Sequence, residues 1–295
     1  MSQIFDALHR STTEGSDTEV SGARELLEVV ERNAGQPAIA AAAPKKSLAL
    51  QQLRSDQPAQ VLLTPQNKLV CVTDPDGLAA EKFRFLAVRL RHLQLKRSIK
   101  RILLTSSVAG EGKSTIVENL ACALAASKQK VLLLDGDLRR PVLANQLGLG
   151  ELPGLSELLE SDSSQPGNIY WLESLGIWFL PAGKSQRNPL EFMQPTKLAA
   201  LIDQLAASFD WIVIDSPPVL PLADTSIWMR LADAILLVTR PGITEKRQLR
   251  RSLEAIEHSK LLGAVLNASK EATANHYYHY YQSHSAVPAA TQPAR

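Results

Sequence analysis

Tyrosine is nearly missing from most of this chain. Five occur in 295 residues, and four of them stand in HYYHYY at 276–281, leaving Tyr170 alone elsewhere. Cysteine is scarcer still. Cys71 and Cys122 lie far apart and in no metal-ligand spacing, which argues against a disulfide framework or a thiolate zinc site and fits a reducing compartment. No stretch approaches the roughly 18 consecutive apolar residues of a membrane helix, and the N-terminal MSQIFDALHR lacks the apolar run of a secretory signal. A formal net charge of +2 supplies no general attraction for nucleic acid. Any work at a membrane is therefore expected to go through a partner.

What is present is an ordinary globular composition with 45% hydrophobic and 21% charged residues, unevenly distributed. Residues 1–60 read as a flexible arm: polar STTEGSDTEVSG and Ala/Pro-rich QPAIAAAAPKK flank one amphipathic stretch, ARELLEVVERN. Residues 61–270 carry the folded pattern. VLLT and LVCVT read as β-like runs, and GLAAEKFRFLAVRLRHLQ as a helix with Phe83, Leu86, Leu90 and Leu93 on its inner side. Then RILLTSS, KVLLLDGD, WIVIDSPP, ADAILLVTRP and LLGAVLNAS, all short apolar strands, alternate with helical segments. That alternation predicts an α/β fold with a mostly parallel sheet covered by helices on both faces. Residues 271–295 read as a disordered, Tyr-rich tail.

The strongest local signal is RILLTSSVAGEGKSTIVENLA. A strand runs into a small-residue turn, then Gly112-Lys113-Ser114-Thr115, then a helix, which is where a phosphate-binding loop belongs in a P-loop NTPase. Small residues let backbone N–H groups of Gly110, Glu111 and Gly112 converge on phosphate oxygens, and the helix start adds free donors and a favourable dipole. Lys113 is expected on the β- and γ-phosphates of ATP and the Ser114 hydroxyl on Mg²⁺. Ser107 stands where the strict pattern has Gly. Two further strands end in carboxylates: Asp135 and Asp137 in LLLDGDLRRP, and Asp215 in WIVIDSPP. Ligands gather at the carboxyl ends of parallel strands, so these side chains are candidates to hold the cation or to accept a proton.

These motifs resemble those of the bacterial tyrosine kinases, cytoplasmic autokinases of exopolysaccharide and capsule synthesis. The likeness runs from about Pro75 to Asn267, and LLLDGDLRRP is its most diagnostic part. The resemblance implies Asp135 as catalytic base, with Asp137 and Asp215 joining Ser114 around Mg²⁺ and Lys113 on the phosphates. It implies that GAVLN places Asn267 near adenine. It also implies that Tyr277, Tyr278, Tyr280 and Tyr281 are autophosphorylated by a neighbouring subunit of a homo-oligomer. A membrane-embedded chain-length regulator is the implied activator, a tyrosine phosphatase the implied counterpart, and the inner face of the membrane the implied location. In the family's oligomerisation helix, Glu81 and Arg84 match, while Ala87 replaces a second Arg. The competing readings are a partitioning- or division-type ATPase switch and a nucleotide-dependent scaffold. His276, His279 and His284, without a cysteine or carboxylate cluster, do not read as a metal tract.

Overall fold

A computed structural model describes residues 58–59, 61, 68–160, 168–220 and 223–269. Residues 1–57 of the N-terminal arm and the four tail tyrosines named above lie outside the described residues, whereas residues 58–59, expected within the flexible arm, form a short edge strand. Among the described residues, eight strands form one sheet: β1 (Pro58–Ala59), β2 (Arg101–Ser106), β3 (Val131–Asp135), β4 (Tyr170–Leu172), β5 (Ile177–Leu180), β6 (Trp211–Asp215), β7 (Ala234–Thr239) and β8 (Leu261–Leu266). Their spatial order is β1-β4-β5-β3-β6-β2-β7-β8. Every pairing is parallel except β4 with β5, which run antiparallel.

The central strands are buried along their whole length, and their side chains alternate between two cores as the pleat requires. Leu132, Leu134, Ile212, Ile214, Ile235 and Leu237 enter one cluster; Val131, Leu133, Trp211, Val213, Leu236 and Val238 enter the other. On the second face lie α1 (Val70–Thr73), α2 (Leu78–Lys96) and α3 (Lys113–Ala125), through residues such as Leu90, Ile116 and Leu120. On the first face lie α7 (Pro195–Ser208), α8 (Asp224–Leu231) and α9 (Lys246–Ala255), through Ile202, Trp228 and Leu253. Short helices α4 (Leu143–Gln146), α5 (Leu155–Glu160) and α6 (Pro189–Phe192) fill the connections. Full burial of such side chains is worth about 1.5–3 kcal/mol each, so a continuous apolar strand is stable only between two helical layers.

One expectation fails. LVCVT suggested a strand, yet Val70–Thr73 is a helical turn. Its backbone is drawn to α3: Cys71 N–H donates to Asn119 Oδ1 at 3.3 Å, and the Thr73 hydroxyl donates back to the Leu69 carbonyl at 3.1 Å. β-branched composition alone does not outweigh such tertiary partners. The long helix falls where expected, with Leu90 buried and Phe83, Leu86 and Leu93 packed against the same core. Among the described residues, no helix is long and apolar enough to cross a membrane.

Candidate active site

The sheet's order positions the site. β2, which feeds the phosphate loop, sits between β6 and β7, while the chain leaving it crosses over β6 through α3 to reach β3. The carboxyl ends of β2, β3 and β6 therefore open onto one crevice at the point where strand order reverses. In this register Leu104 faces Asp215, and Asp215 faces Asp135. Sequence spacing alone could not have placed these two aspartates side by side.

The loop between β2 and α3 bends through two left-handed glycines, Gly110 (φ 86°) and Gly112 (φ 84°). Gly112 is also crowded, because a Cβ there would lie 2.1 Å from the Asn267 amide nitrogen. It caps α3 without any side-chain hydrogen bond, so no side chain competes for the first N–H groups of the helix. Thr115 stands within the first turn, its carbonyl accepting from Asn119 Nδ2 at 2.9 Å.

Lys113 and Ser114 both reach Asp215. The Lys113 ammonium donates to one carboxylate oxygen, and the Ser114 hydroxyl donates to the other at 2.7 Å. Asp215 is fully buried. Asp135, also fully buried, accepts the amide N–H groups of Asp137, Val142 and Leu143, each at 3.2 Å. Burial and the adjacent Asp215 nevertheless push its carboxyl up to about 7, against the pull of the Leu143 and Asp137 amides and of Lys113. Asp137 is less enclosed; it accepts the Arg140 N–H at 3.0 Å, and burial raises its pKa as well. Gly136 between them has no room for a side chain, since a Cβ would meet the Asp215 carbonyl and the Trp228 ring at 2.8 Å. Trp228 Nε1 donates to the Gly136 carbonyl at 3.0 Å, and Arg139 grips Asp224 at the start of α8 with contacts of 2.5 and 3.2 Å. The turn carrying Asp135 and Asp137 is thus fixed from behind.

Asn267 lies against the loop: its Nδ2 donates to the Glu111 carbonyl at 2.8 Å. Glu111 itself turns its side chain inward, accepting the Val108 N–H at 3.0 Å and the Thr244 hydroxyl, so its carboxylate is engaged within the protein. Two participants escaped sequence reasoning. Thr244 is one, carrying no motif of its own. The other is Glu118, one helical turn beyond Ser114, 4% exposed, with Oε1 unpartnered. Burial, then Asp215 and Asp135, push its carboxyl up to about 8. The signal available was an acidic residue in IVENLACALA, a helical stretch that is apolar apart from it and Asn119.

Among the described residues, no three His, Cys, Asp or Glu side chains converge to hold a metal by themselves. The donors present still suit Mg²⁺. A hard cation that keeps several waters needs only one or two carboxylates, a hydroxyl and phosphate oxygens, which Asp215, Asp137 and Ser114 would supply with the nucleotide.

The ParA family profile, described as NUBPL iron-transfer P-loop NTPase, matches residues 98–292. The chain is 33% identical over 217 residues to the tyrosine-protein kinase YwqD of Bacillus subtilis (strain 168), covering 73% of this chain and 92% of that one. It is also 33% identical to the succinoglycan biosynthesis transport protein ExoP of Rhizobium meliloti (strain 1021) over 67% of its own length, yet spans only 26% of that protein. Among solved structures, the chimerical protein CapA2B2 superposes with a TM-score of 0.65 at 30% identity, over 74% of this chain and 96% of that one. The fold, the nucleotide-binding crevice and these relatives agree: the chain belongs to the bacterial tyrosine-protein kinases, an enzyme family built on the P-loop NTPase fold.

Proposed function

We propose that this protein is an ATP-dependent tyrosine autokinase that acts on its own tail at Tyr277, Tyr278, Tyr280 and Tyr281 and thereby regulates exopolysaccharide polymerisation and export. The observation that carries the reading is the pairing of Asp135 with Asp215 at matching register, beside Lys113 and Ser114. Two buried carboxylates next to one ammonium separate into different roles. Asp215, already bonded by Ser114, is the cation-side ligand together with Asp137. Asp135, raised toward 7, is a base poised near neutral pH.

ATP with Mg²⁺ supplies the transferable phosphoryl group and the neutralising charge. Lys113 steadies the phosphate oxygens, and amides of the loop and of α3 orient them. Asp135 takes the proton of the phenolic Oη–H as that oxygen bonds to the γ-phosphorus; the bond from phosphorus to the β,γ-bridging oxygen breaks, and ADP leaves. Asn267 Oδ1, its amide nitrogen being held by the loop, is the acceptor for the exocyclic amine of adenine.

Activation by a membrane-embedded chain-length regulator at the inner membrane face is the matching mode of control, and the similarity to ExoP, a succinoglycan biosynthesis transport protein, supports it. Assembly into a homo-oligomer would use the exposed side of α2, where Phe85 and Val88 are solvent-facing and Arg84 is paired with Glu81 at 2.6 Å. Each phosphate adds about 1.5–2 negative charges, so a modified tail would repel neighbouring tails and loosen that assembly; a tyrosine phosphatase would reset it.

Incubation of the full chain with Mg²⁺-ATP, followed by mass mapping of phosphotyrosine, tests the reading. Phosphate on the four tail positions, lost by at least about a hundredfold in Lys113→Met, is the expected result. ATP hydrolysis without phosphotyrosine, even with the cytoplasmic part of a regulator present, would instead favour the second reading, a ParA-like ATPase switch or scaffold. The ParA profile match over residues 98–292 supports that alternative.

A further inference from the structure

The phosphate loop is tied down on the side away from the aspartates, in part by Thr244 and Arg240, which belong to none of the phosphate-binding motifs. Glu111 is 1% exposed within a loop shaped to receive a polyanion, an unfavourable place for a carboxylate unless its oxygens are hydrogen-bonded. Both are. Oε2 accepts the Val108 N–H at 3.0 Å and closes the turn of the loop on itself. Oε1 accepts the hydroxyl of Thr244, from the segment that follows β7. The same hydroxyl oxygen accepts the N–H of Arg240 at 2.9 Å, so one Oγ links the end of β7 to the loop. Two weaker ties run parallel to it. Arg240 Nη1 donates to the Gly110 carbonyl at 3.4 Å, and Asn267 bridges the Thr239 carbonyl and the Glu111 carbonyl at 2.8 Å each.

We propose that Thr244 and Glu111 form a latch that pre-organises the phosphate loop for nucleotide, making Thr244 a positioning residue. A loop of small residues and left-handed glycines has many conformations, and ordering it on binding costs affinity. The latch settles that ordering beforehand by holding the Val108 turn against the rigid end of β7. The stiff χ1 of threonine suits a hydroxyl that must meet two partners at once. The inference uses only the nucleotide-binding part of the reading above and is independent of what receives the phosphate.

The test is equilibrium titration of the full chain with Mg²⁺-ADP and Mg²⁺-ATP, with melting temperature measured alongside. Thr244→Val keeps the shape and removes the hydroxyl; Thr244→Ser keeps the hydroxyl. The expected result is a Kd raised about five- to tenfold in Thr244→Val and within about twofold of the parent in Thr244→Ser. Glu111→Ala should weaken binding comparably, and the double variant no further, because both substitutions remove one device. A folded Thr244→Val with unchanged Kd, or additive losses in the double variant, would overturn the proposal. So would a Thr244→Val chain that fails to fold, since a latch on the loop leaves the sheet core intact. Absence of tyrosine transfer would bear on the autokinase reading alone.

Discussion

The phosphate loop and its helix are held from two sides by different chemistry. Toward β3 and β6, its polar contacts come from groups that phosphoryl transfer needs: the Lys113 ammonium and the Ser114 hydroxyl, both on the carboxylate of Asp215, which stands beside Asp135. Toward β7 and β8, the contacts come from Thr244, Asn267 and Arg240, and they end on backbone groups or on the inward-facing Glu111. The acidic side must exchange partners during a reaction cycle, because a lysine bound to Asp215 cannot serve a phosphate fully at the same time. The braced side has no such duty and can stay fixed. The chemical groups are thus separated from the mechanical ones across a loop only a few residues long.

Substitutions on the acidic side should separate turnover from binding, the reverse of Thr244→Val. Asp135→Asn is expected to lower kcat for phosphotyrosine formation by about a hundredfold or more while nucleotide Kd stays within about threefold. Since the Asp135 carboxyl is raised to about 7, its basic form grows as pH rises through that value, so the parent rate should climb between pH 6 and 8. The asparagine variant should lose this limb. A pH profile that keeps the limb in Asp135→Asn would place the base elsewhere.

A smaller effect belongs to the turn behind the aspartates. Gly136→Ala forces a methyl against the Asp215 carbonyl and the Trp228 ring, and should cost about 1–3 kcal/mol in denaturant unfolding. Turnover should fall along with stability, because the displaced atoms carry Asp135 and Asp137. An alanine variant as stable and as active as the parent would mean that the turn is looser than its packing implies.

Glu118 offers the mildest perturbation. Its carboxyl is raised from 4.5 to about 8, so the folded state binds more protons than the unfolded one between those values. Stability then falls as pH rises from about 4.5 to about 8, and the loss is complete above the folded value. Glu118→Gln removes that dependence, so its stability should gain steadily on the parent's as pH rises from about 4.5 to about 8, with little difference near pH 4. Parallel stability curves for the two proteins across this range would show that Glu118 is not held neutral.

Much of this site was legible in the chain because local chemistry reports itself locally. A phosphate loop needs its small residues, lysine and hydroxyl in sequence, and strand-terminal aspartates stand out against apolar runs such as VLLLD and WIVID. The β4–β5 hairpin and the helical turn at Val70–Thr73 were less legible. Their form depends on the neighbouring strand and on Asn119 in a helix 48 residues away from Cys71.

By itself, then, the sequence determined the α/β class, the nucleotide loop and the identity of the candidate acids, since each rests on residue type and spacing along one segment. Only the tertiary structure decided that Asp135 stands beside Asp215, that burial raises it, and that Glu111 points to Thr244 rather than to phosphate. Those outcomes depend on strand order and on the exclusion of water. Both arise when distant segments pack, and no single stretch of chain encodes either.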